Sequence, residues 1–301
     1  MNKWLNLLLL TIVAFALTAC GSTDEPAEEA SAEKDVEEVE EAVEEEDENE
    51  LDALEIYEEA LNASQAMESA EAYMEIKQTM TLPDEEPIHT LIESDIEMTM
   101  EPITLYQNML TSMSAGDENL DMEMEMYVTE EFMYVYEESM GEWIKADTAS
   151  LMGDLSEATN QPDPAEQLEF FREFASDFEV EETDDKYILK LNADDEEFRA
   201  LSEEMVSENI PPEVQAELEE QGENPYEDMA INAQYFEIYL NKETYDLTQF
   251  NLEMDMDMEI EGELTNFNQL IATEYHNINQ LDPIEVPEEI EENAIDQSEF
   301  Q

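Results

Sequence analysis

Hydrophobic and polar residues alternate along several stretches of this chain, and a period of two predicts strands with one buried and one solvated face. The clearest stretch runs from Phe250 to Glu261, where Phe, Leu, Met and Ile occupy one parity and Asn, Asp and Glu the other. Such a clean two-sided pattern is typical of antiparallel sheet. Alternation, or a short apolar run between turn residues, predicts strands at 74–82, 96–100, 121–128, 132–136, 187–191, 231–241, 244–261 and 263–277.

A period near 3.6 predicts the helices between these strands. Leu54, Tyr57 and Leu61 recur among alanines and indicate an amphipathic helix that ends near Ala70. A second helix is expected where Asp163-Pro164-Ala165-Glu166 offers a capping residue and Pro at the first helical position, and a third over 198–205. The order of elements predicts an α+β fold with one large antiparallel sheet and helices gathered on one of its faces.

The N-terminal residues look like an export sequence. An apolar run from Trp4 to Leu17 follows Lys3 and is too short for a comfortable membrane-spanning helix. Leu17-Thr18-Ala19-Cys20-Gly21 matches the bacterial lipobox, whose Cys receives a diacylglycerol, and Cys20 is the single cysteine of the chain. Residues 1–19 are therefore expected to be a lipoprotein signal peptide, with Cys20 lipidated. The alternatives are an ordinary signal peptide that ends in Cys, and an anchor helix.

The cysteine is followed by an acidic segment. Between Asp24 and Glu50, 16 of 27 residues are Asp or Glu, so this block repels itself and buries little apolar area. Residues 20–50 are expected to be a disordered tether that holds the folded part off the membrane, with a calcium-binding acidic tail as the alternative. A single folded domain is expected over 51–295, and 296–301 form a tail. The expected location is the extracytoplasmic face of the cell membrane.

The charge balance is extreme. The chain has 85 Asp and Glu against 9 Lys and Arg, a net charge of −76. Direct binding to nucleic acid or to an anionic membrane surface needs patches of Lys and Arg, so this composition argues against both. Because self-repulsion destabilises a compact state at low salt, we expect the domain to work in salty or alkaline surroundings outside the cell. The alternative is that the acids only keep a lipoprotein soluble.

Several stretches together resemble a known superfamily. They are the lipobox, EALNASQAMESAEAYMEIKQTM, YVTEEFMYVYEESMGEWIKAD, YILKLNADDEEFRALSEEM, FEIYLNKETYDLTQFNLEMDMDMEIEG and IEVPEEIEENA. Their layout is similar to the LolA/LppX/LprG superfamily of lipoprotein and lipid carriers, and more closely to uncharacterised lipoproteins of Gram-positive bacteria. The resemblance implies an unclosed, strongly curved antiparallel half-barrel with helices on its concave face. It also implies an apolar cavity between sheet and helices that holds a lipid or other amphiphile.

Methionine is abundant on the predicted strands, with 19 in the chain and M-x-M runs in three places, 98–100, 122–126 and 254–258. Thioethers at such a spacing could bind Cu(I), but alternate strand residues share a face anyway, and no His or Cys accompanies them. Flexible Met side chains would also suit an adaptable cavity for acyl chains. The residues expected to line such a cavity are Met98, Met100, Met122, Met124, Met126, Leu252, Met254, Met256, Met258 and Ile260.

Other chemistry has little support in the sequence. The six glycines are too dispersed for a phosphate-binding loop or a nucleophile elbow, and the two histidines, His89 and His276, lie in no catalytic motif. We therefore predict no catalytic residues, no bound metal and no cofactor. The favoured function is a membrane-anchored module that binds a lipid or amphiphile. The alternative is a non-enzymatic structural domain that binds another envelope protein.

Overall fold

The computed structural model describes six parts of the chain: 53–83, 86–137, 141–148, 164–192, 230–260 and 263–297. The expected signal peptide, Cys20, the acidic tether and the helix expected over 198–205 lie outside the described residues.

Most of the described residues are in strands, and three α-helices and one 3₁₀ helix accompany them. The helices are α1 (Ala53–Gln65), α2 (Pro164–Phe170), the 3₁₀ helix (Arg172–Asp177) and α3 (Glu288–Asn293). The strands of the first half are β1 (Ser69–Thr81), β2 (Ile88–Met100), β3 (Ile103–Ala115), β4 (Glu118–Val128), β5 (Phe132–Glu137) and β6 (Trp143–Asp147). Those of the second half are β7 (Glu179–Glu182), β8 (Lys186–Asn192), β9 (Ala230–Asn241), β10 (Leu247–Ile260), β11 (Glu263–His276) and β12 (Ile295–Asp296).

All twelve described strands belong to one sheet, in the order β12-β6-β5-β4-β3-β2-β1-β11-β10-β9-β8-β7. The strands pair antiparallel, except that the short β12 runs parallel to β6. The first strand and the last long strand meet at the centre, where β1 pairs with β11 from Glu71–His276 to Thr81–Asn266. The two edges, β12 and β7, do not pair with each other, so the sheet is an open half-barrel. This confirms the predicted fold class.

The helices pack on the inner face of this sheet through aromatic side chains. The ring of Phe171 lies 4.5 Å from that of Phe236 on β9 and 6.1 Å from that of Phe250 on β10. Tyr57 on α1 is fully buried, and its ring lies 5.7 Å from that of Phe178. Helices and sheet therefore share one hydrophobic core, whose members include residues of α1, α2 and all the long strands.

Two predictions about local structure were wrong. The first helix ends at Gln65, not near Ala70, and the chain then alternates with a period of two from Ser69 onwards. The alanines at 70 and 72 are small residues of a strand, buried beside β2, and not the end of a helix. Strand β3 was not predicted, because Gln, Asn, Thr and Ser over 103–115 hide its alternation.

The three long strands of the second half were predicted correctly to within a few residues. The turn between β9 and β10 is held by Asn241, whose Oδ1 accepts hydrogen bonds from the backbone N–H groups of Glu243 at 2.8 Å and Thr244 at 3.2 Å. This is the usual role of an Asn side chain at the start of a turn. The loop of this hairpin, 242–246, has five residues, and the register of the two strands shifts just after it, between Leu247 and Gln249.

Candidate functional site

The inner face of the four central strands, β2, β1, β11 and β10, is a continuous buried surface. The pairing of the strands places every second residue of each strand on the same face as its partners, for example Met256 opposite Phe267 and Phe267 opposite Met80. These alternate residues form the inner parity of each strand. The described side chains on this parity carry no charge. They are Ala70, Ala72, Met74, Ile76, Gln78, Met80, Ile88, Thr90, Ile92, Ser94, Ile96, Met98, Phe250, Leu252, Met254, Met256, Met258, Thr265, Phe267, Gln269, Ile271, Thr273 and Tyr275. Such a face offers apolar area and neutral polar atoms only.

Strand β10 holds the most buried of the residues predicted to line a ligand. Leu252, Met254, Met256 and Met258 share the inner face and are between 2% and 5% exposed. Met254 contacts a polar neighbour, because Nε2 of Gln234 lies 3.9 Å from its Sδ. Ile260 is the last residue of the strand. The alternation of the sequence therefore identified a real buried stripe. That these residues line a ligand stays a prediction.

The other predicted lining residues lie on different strands and are less uniformly buried. Met98 on β2 is 4% exposed, whereas Met100 is half-buried at the end of the same strand. Met122, Met124 and Met126 on β4 are all half-buried. Strand β4 is five strands away from β10, or about 24 Å along the sheet. The predicted residues thus form two groups, one on β10 and one on β2 and β4.

Sequence reasoning missed two buried glutamines in the middle of the inner face. Gln78 on β1 and Gln269 on β11 are directly paired across the two strands and are 6% and 2% exposed. Among the described residues, Nε2 of Gln78 and Oε1 of Gln269 have no hydrogen-bond partner. The sequence does mark both positions, since each Gln interrupts a run of alternate apolar residues, such as Ile76 and Met80 around Gln78.

The outer face of β9 and β10 is acidic and heavily hydrogen-bonded. Glu237 on β9 accepts hydrogen bonds from the hydroxyls of Tyr235 at 3.1 Å and Tyr239 at 2.8 Å, and from Nδ2 of Asn251 at 3.1 Å. Burial alone would raise the pKa of Glu237, but these donors and the Lys190 ammonium hold it below its ordinary value. These contacts therefore stabilise the carboxylate of Glu237 in its charged form.

An open groove of about 660 Å³ lies along β1 to β4, but it does not match an acyl chain. Most of its lining belongs to the outer parity of these strands and is polar, including Lys77, His89, Ser112 and Asp121. Nδ1 of His89 is 3.0 Å from Oγ1 of Thr79, a hydrogen bond within this lining. The groove thus lies mainly on the outer side of the sheet, although Gln78, Thr90 and Met113 of the inner parity also contribute to its lining.

Neither a metal cluster nor a membrane span is found in the part of the chain that the structure describes. In these residues, no three His, Cys, Asp or Glu side chains are arranged to hold a metal ion. No described helix is long and apolar enough to cross a membrane.

The fold and the uncharged inner face define a class of protein: an open antiparallel half-barrel with helices packed on its concave side. The chain belongs to a family of unknown function, DUF6612, whose model matches residues 52–295. No functionally curated protein matches it.

Similar solved structures include three from bacteria. LprF from Mycobacterium bovis is 11% identical over 78% of this chain and 95% of that one, with a TM-score of 0.38. A LolA superfamily protein, NE2245, from Nitrosomonas europaea is 11% identical over 80% and 97%, with a TM-score of 0.23. A DUF1329 family protein from Desulfovibrio piger is 11% identical over 75% and 92%, with a TM-score of 0.25.

Proposed function

We propose that this protein is a lipid-anchored, extracytoplasmic lipoprotein that binds a lipid or other amphiphile between its sheet and its helices. The role is binding and not catalysis. Attachment to the membrane is through an acylated Cys20, and the acidic tether over 20–50 lets the domain stand away from the surface. The partners proposed are the membrane and one amphiphile.

The observation that supports this proposal is the chemistry of the inner face. The inner positions of four long strands carry no charge over 70–80, 88–98, 250–258 and 265–275, and side chains such as Met254, Met256 and Phe267 are almost fully buried there. Methionine on β10 has three rotatable bonds, so the face can adapt to acyl chains of different shape. A plain core has no need of that adaptability, whereas a carrier of varied lipids does.

The ligand is tested on the full chain purified from its own membranes in 1 M NaCl. Native mass spectrometry and lipid extraction are expected to find one amphiphile per protein. Two variants are compared. Met256→Trp places a large ring on the inner face of β10, and Asp257→Trp places the same ring at the next position of the strand, on the outer face. We expect the inner variant to lose the lipid and the outer variant to keep it, with circular dichroism confirming that both fold. A wild-type protein without lipid would contradict the proposal.

The anchor is tested separately through Cys20. In cells supplied with labelled palmitate, the wild-type chain is expected to incorporate label and to remain with the membrane fraction. Cys20→Ser is expected to lose both properties. Label in the Cys20→Ser chain would contradict lipidation at this residue, and it would leave the ligand proposal untouched.

A second candidate function is docking to another envelope protein, and one surface favours it. On the outer face of β3 to β6, half-buried aromatic rings follow one another: Tyr106 and Tyr127 are 4.7 Å apart, and Trp143 is 5.7 Å from Tyr127. Partly exposed Tyr and Trp are frequent in protein interfaces. Crosslinking in cells that recovers one stoichiometric partner, and loses it in Tyr127→Ser, would favour this role.

A further inference from the structure

Among the described residues, two amide atoms in the middle of the inner face are buried without a hydrogen-bond partner. They are Nε2 of Gln78, a donor, and Oε1 of Gln269, an acceptor. The two residues are directly opposite each other on β1 and β11, so their Cβ atoms are about 5 Å apart. A donor and an acceptor therefore lie side by side, and neither is used by the described residues.

Unpaired buried polar atoms are uncommon in native proteins and require an explanation. Another glutamine on the same face shows the usual arrangement: Nε2 of Gln107 on β3 donates to Oγ of Ser94 on β2 at 2.8 Å. The outer face of the sheet follows the same rule, since its Asn side chains bond neighbouring carboxylates. Gln78 and Gln269 depart from this pattern at the centre of the sheet, where a ligand on the inner face would contact the protein.

We propose that Gln78 and Gln269 bind the neutral polar group of the amphiphile. In this arrangement Nε2 of Gln78 donates to a carbonyl oxygen of the ligand, such as that of an ester. Oε1 of Gln269 accepts from a hydroxyl or amide N–H on the same ligand. The inference rests on the proposed function, which it deepens by naming the polar group of the ligand and the residues that recognise it.

The charges of the protein argue that this polar group is neutral. No Lys or Arg lies at the described inner positions of the four central strands, so a buried phosphate or carboxylate would lack a counter-ion. Lys77, next to Gln78, has the opposite parity and forms its ion pair with Glu75 on the outer face. A net charge of −76 further repels anions. Ester, amide and hydroxyl groups satisfy both amides without adding a charge.

The neighbours of the two amides along both strands are apolar and buried. Along β1 the inner residues before and after Gln78 are Ile76 and Met80, and along β11 those around Gln269 are Phe267 and Ile271. All four are at most 3% exposed. A ligand with its polar group at the glutamines would therefore extend its apolar parts over an apolar surface in both directions along the strands.

The test uses two uncharged probes with acyl or alkyl chains of the same length, 1-monooleoylglycerol and 1-octadecene. The first has an ester and hydroxyls, and the second has neither. Binding of each to the full chain, stripped of native lipid, is measured by equilibrium dialysis in 1 M NaCl. Gln78→Met and Gln269→Met keep the side-chain shape and remove the amide. Gln107→Met is the matched control, because it makes the same change on the same face.

We expect each of Gln78→Met and Gln269→Met to weaken binding of 1-monooleoylglycerol about tenfold and to leave binding of 1-octadecene unchanged. Both variants should also melt at a higher temperature than the ligand-free wild type, because an unpaired buried polar atom has been removed. Gln107→Met should melt at a lower temperature, because Ser94 loses its partner, and should bind both probes as the wild type does.

Three results would overturn the inference. One is equal affinity of the wild type and both variants for 1-monooleoylglycerol. Another is a lower melting temperature of the ligand-free variants, which would show that the amides have a structural partner. The third is a wild type that binds the two probes equally. These results leave the proposed function standing if native lipid is found, whereas a wild type that binds neither probe and carries no native lipid overturns both.

Discussion

Asn266 on β11 lies between two carboxylates of β10, and its Nδ2 donates to Oδ1 of Asp255 at 2.9 Å. The same amide also lies 3.0 Å from Oδ1 of Asp257. From the other side, Nδ2 of Asn232 on β9 reaches both carboxylates, at 2.9 Å and 3.0 Å. Neutral amides from both neighbouring strands therefore lie between the two carboxylates on the outer face of β10. This is one way in which a sheet with so many carboxylates remains stable.

Removing one of these amides should change the ionisation of Asp255. Its pKa is held below the ordinary value, first by the hydrogen bond from Asn232 and then, against the effect of burial, by those from Asn266 and Asn268. Asn266→Ala is therefore expected to raise the pKa of Asp255, as measured by NMR titration of its carboxyl group. The variant should lose about 1 kcal/mol of stability at pH 7.

The sign of the pH dependence follows from the lowered pKa. Stability from a carboxylate of this kind is present above the unfolded pKa of about 4 and is lost as the pH falls through the lower folded value. The difference in unfolding free energy between the wild type and Asn266→Ala should thus become smaller at acidic pH. Asn268→Ala is the control, because its bond to Asp255 is longer, at 3.4 Å. Equal effects of the two substitutions would contradict this account.

Tyr57 joins the first helix to the second, because its hydroxyl donates to the backbone oxygen of Leu168 in the buried core. Tyr57→Phe leaves that oxygen without this donor and should destabilise the fold by about 1–3 kcal/mol in chemical denaturation. Tyr73→Phe is the control. Its hydroxyl bonds Glu93 at 2.9 Å on the partly exposed outer face, so a change of about 0.5 kcal/mol or less is expected.

Alkaline pH provides a second test of Tyr57. Burial, followed by the charge of Glu169, raises the pKa of Tyr57 well above its ordinary value of 10. A group with a raised folded pKa contributes stability that is complete below the unfolded pKa, about 10, and declines as the pH rises above it. When the pH is raised from about 9 to about 12, the unfolding free energy of Tyr57→Phe should therefore fall by less than that of the wild type. Equal losses would contradict a buried, protonated Tyr57.

The coupling between helices and sheet depends on Phe171. Its side chain is 4% exposed and contacts rings on β9 and β10. Phe171→Ala should cost about 3–5 kcal/mol in the free energy of unfolding, because it removes buried area and leaves a cavity. Leu264→Ala on β11 is the control, since Leu264 is 60% exposed and a change of about 0.5 kcal/mol or less is expected. Similar losses in both variants would show that the helices do not share the core.

The charge of the chain predicts a strong dependence on salt. Repulsion among 85 acidic side chains is screened over about 10 Å at 0.1 M salt and about 3 Å at 1 M. The melting temperature is therefore expected to rise steeply from low salt to 1 M NaCl. Sucrose at matched osmolality serves as the control, because it stabilises by exclusion and not by screening. A melting temperature that does not change with NaCl would contradict the proposal of a saline environment.

Much of the sheet could be predicted from local pattern, and the exceptions have clear causes. The sequence alternates strictly from Phe250 to Glu261, and over 250–258 of β10 the apolar positions are buried and the polar positions are less buried, as predicted. Strand β3 was missed because polar residues occupy both of its faces: Gln107 is buried through its bond to Ser94. A hydrogen bond between strands cannot be seen in a one-dimensional pattern.

The sequence by itself determined the α+β class, the positions of most long strands other than β3, and which parity of those strands is buried, because these follow from the spacing of apolar side chains. Only the tertiary structure decided that β1 pairs with β11, and so that Gln78 lies opposite Gln269. These residues are 191 positions apart, and their meeting depends on how two halves of the chain close into one sheet. The candidate site is a product of that pairing, since each glutamine alone is a single polar residue in an apolar strand.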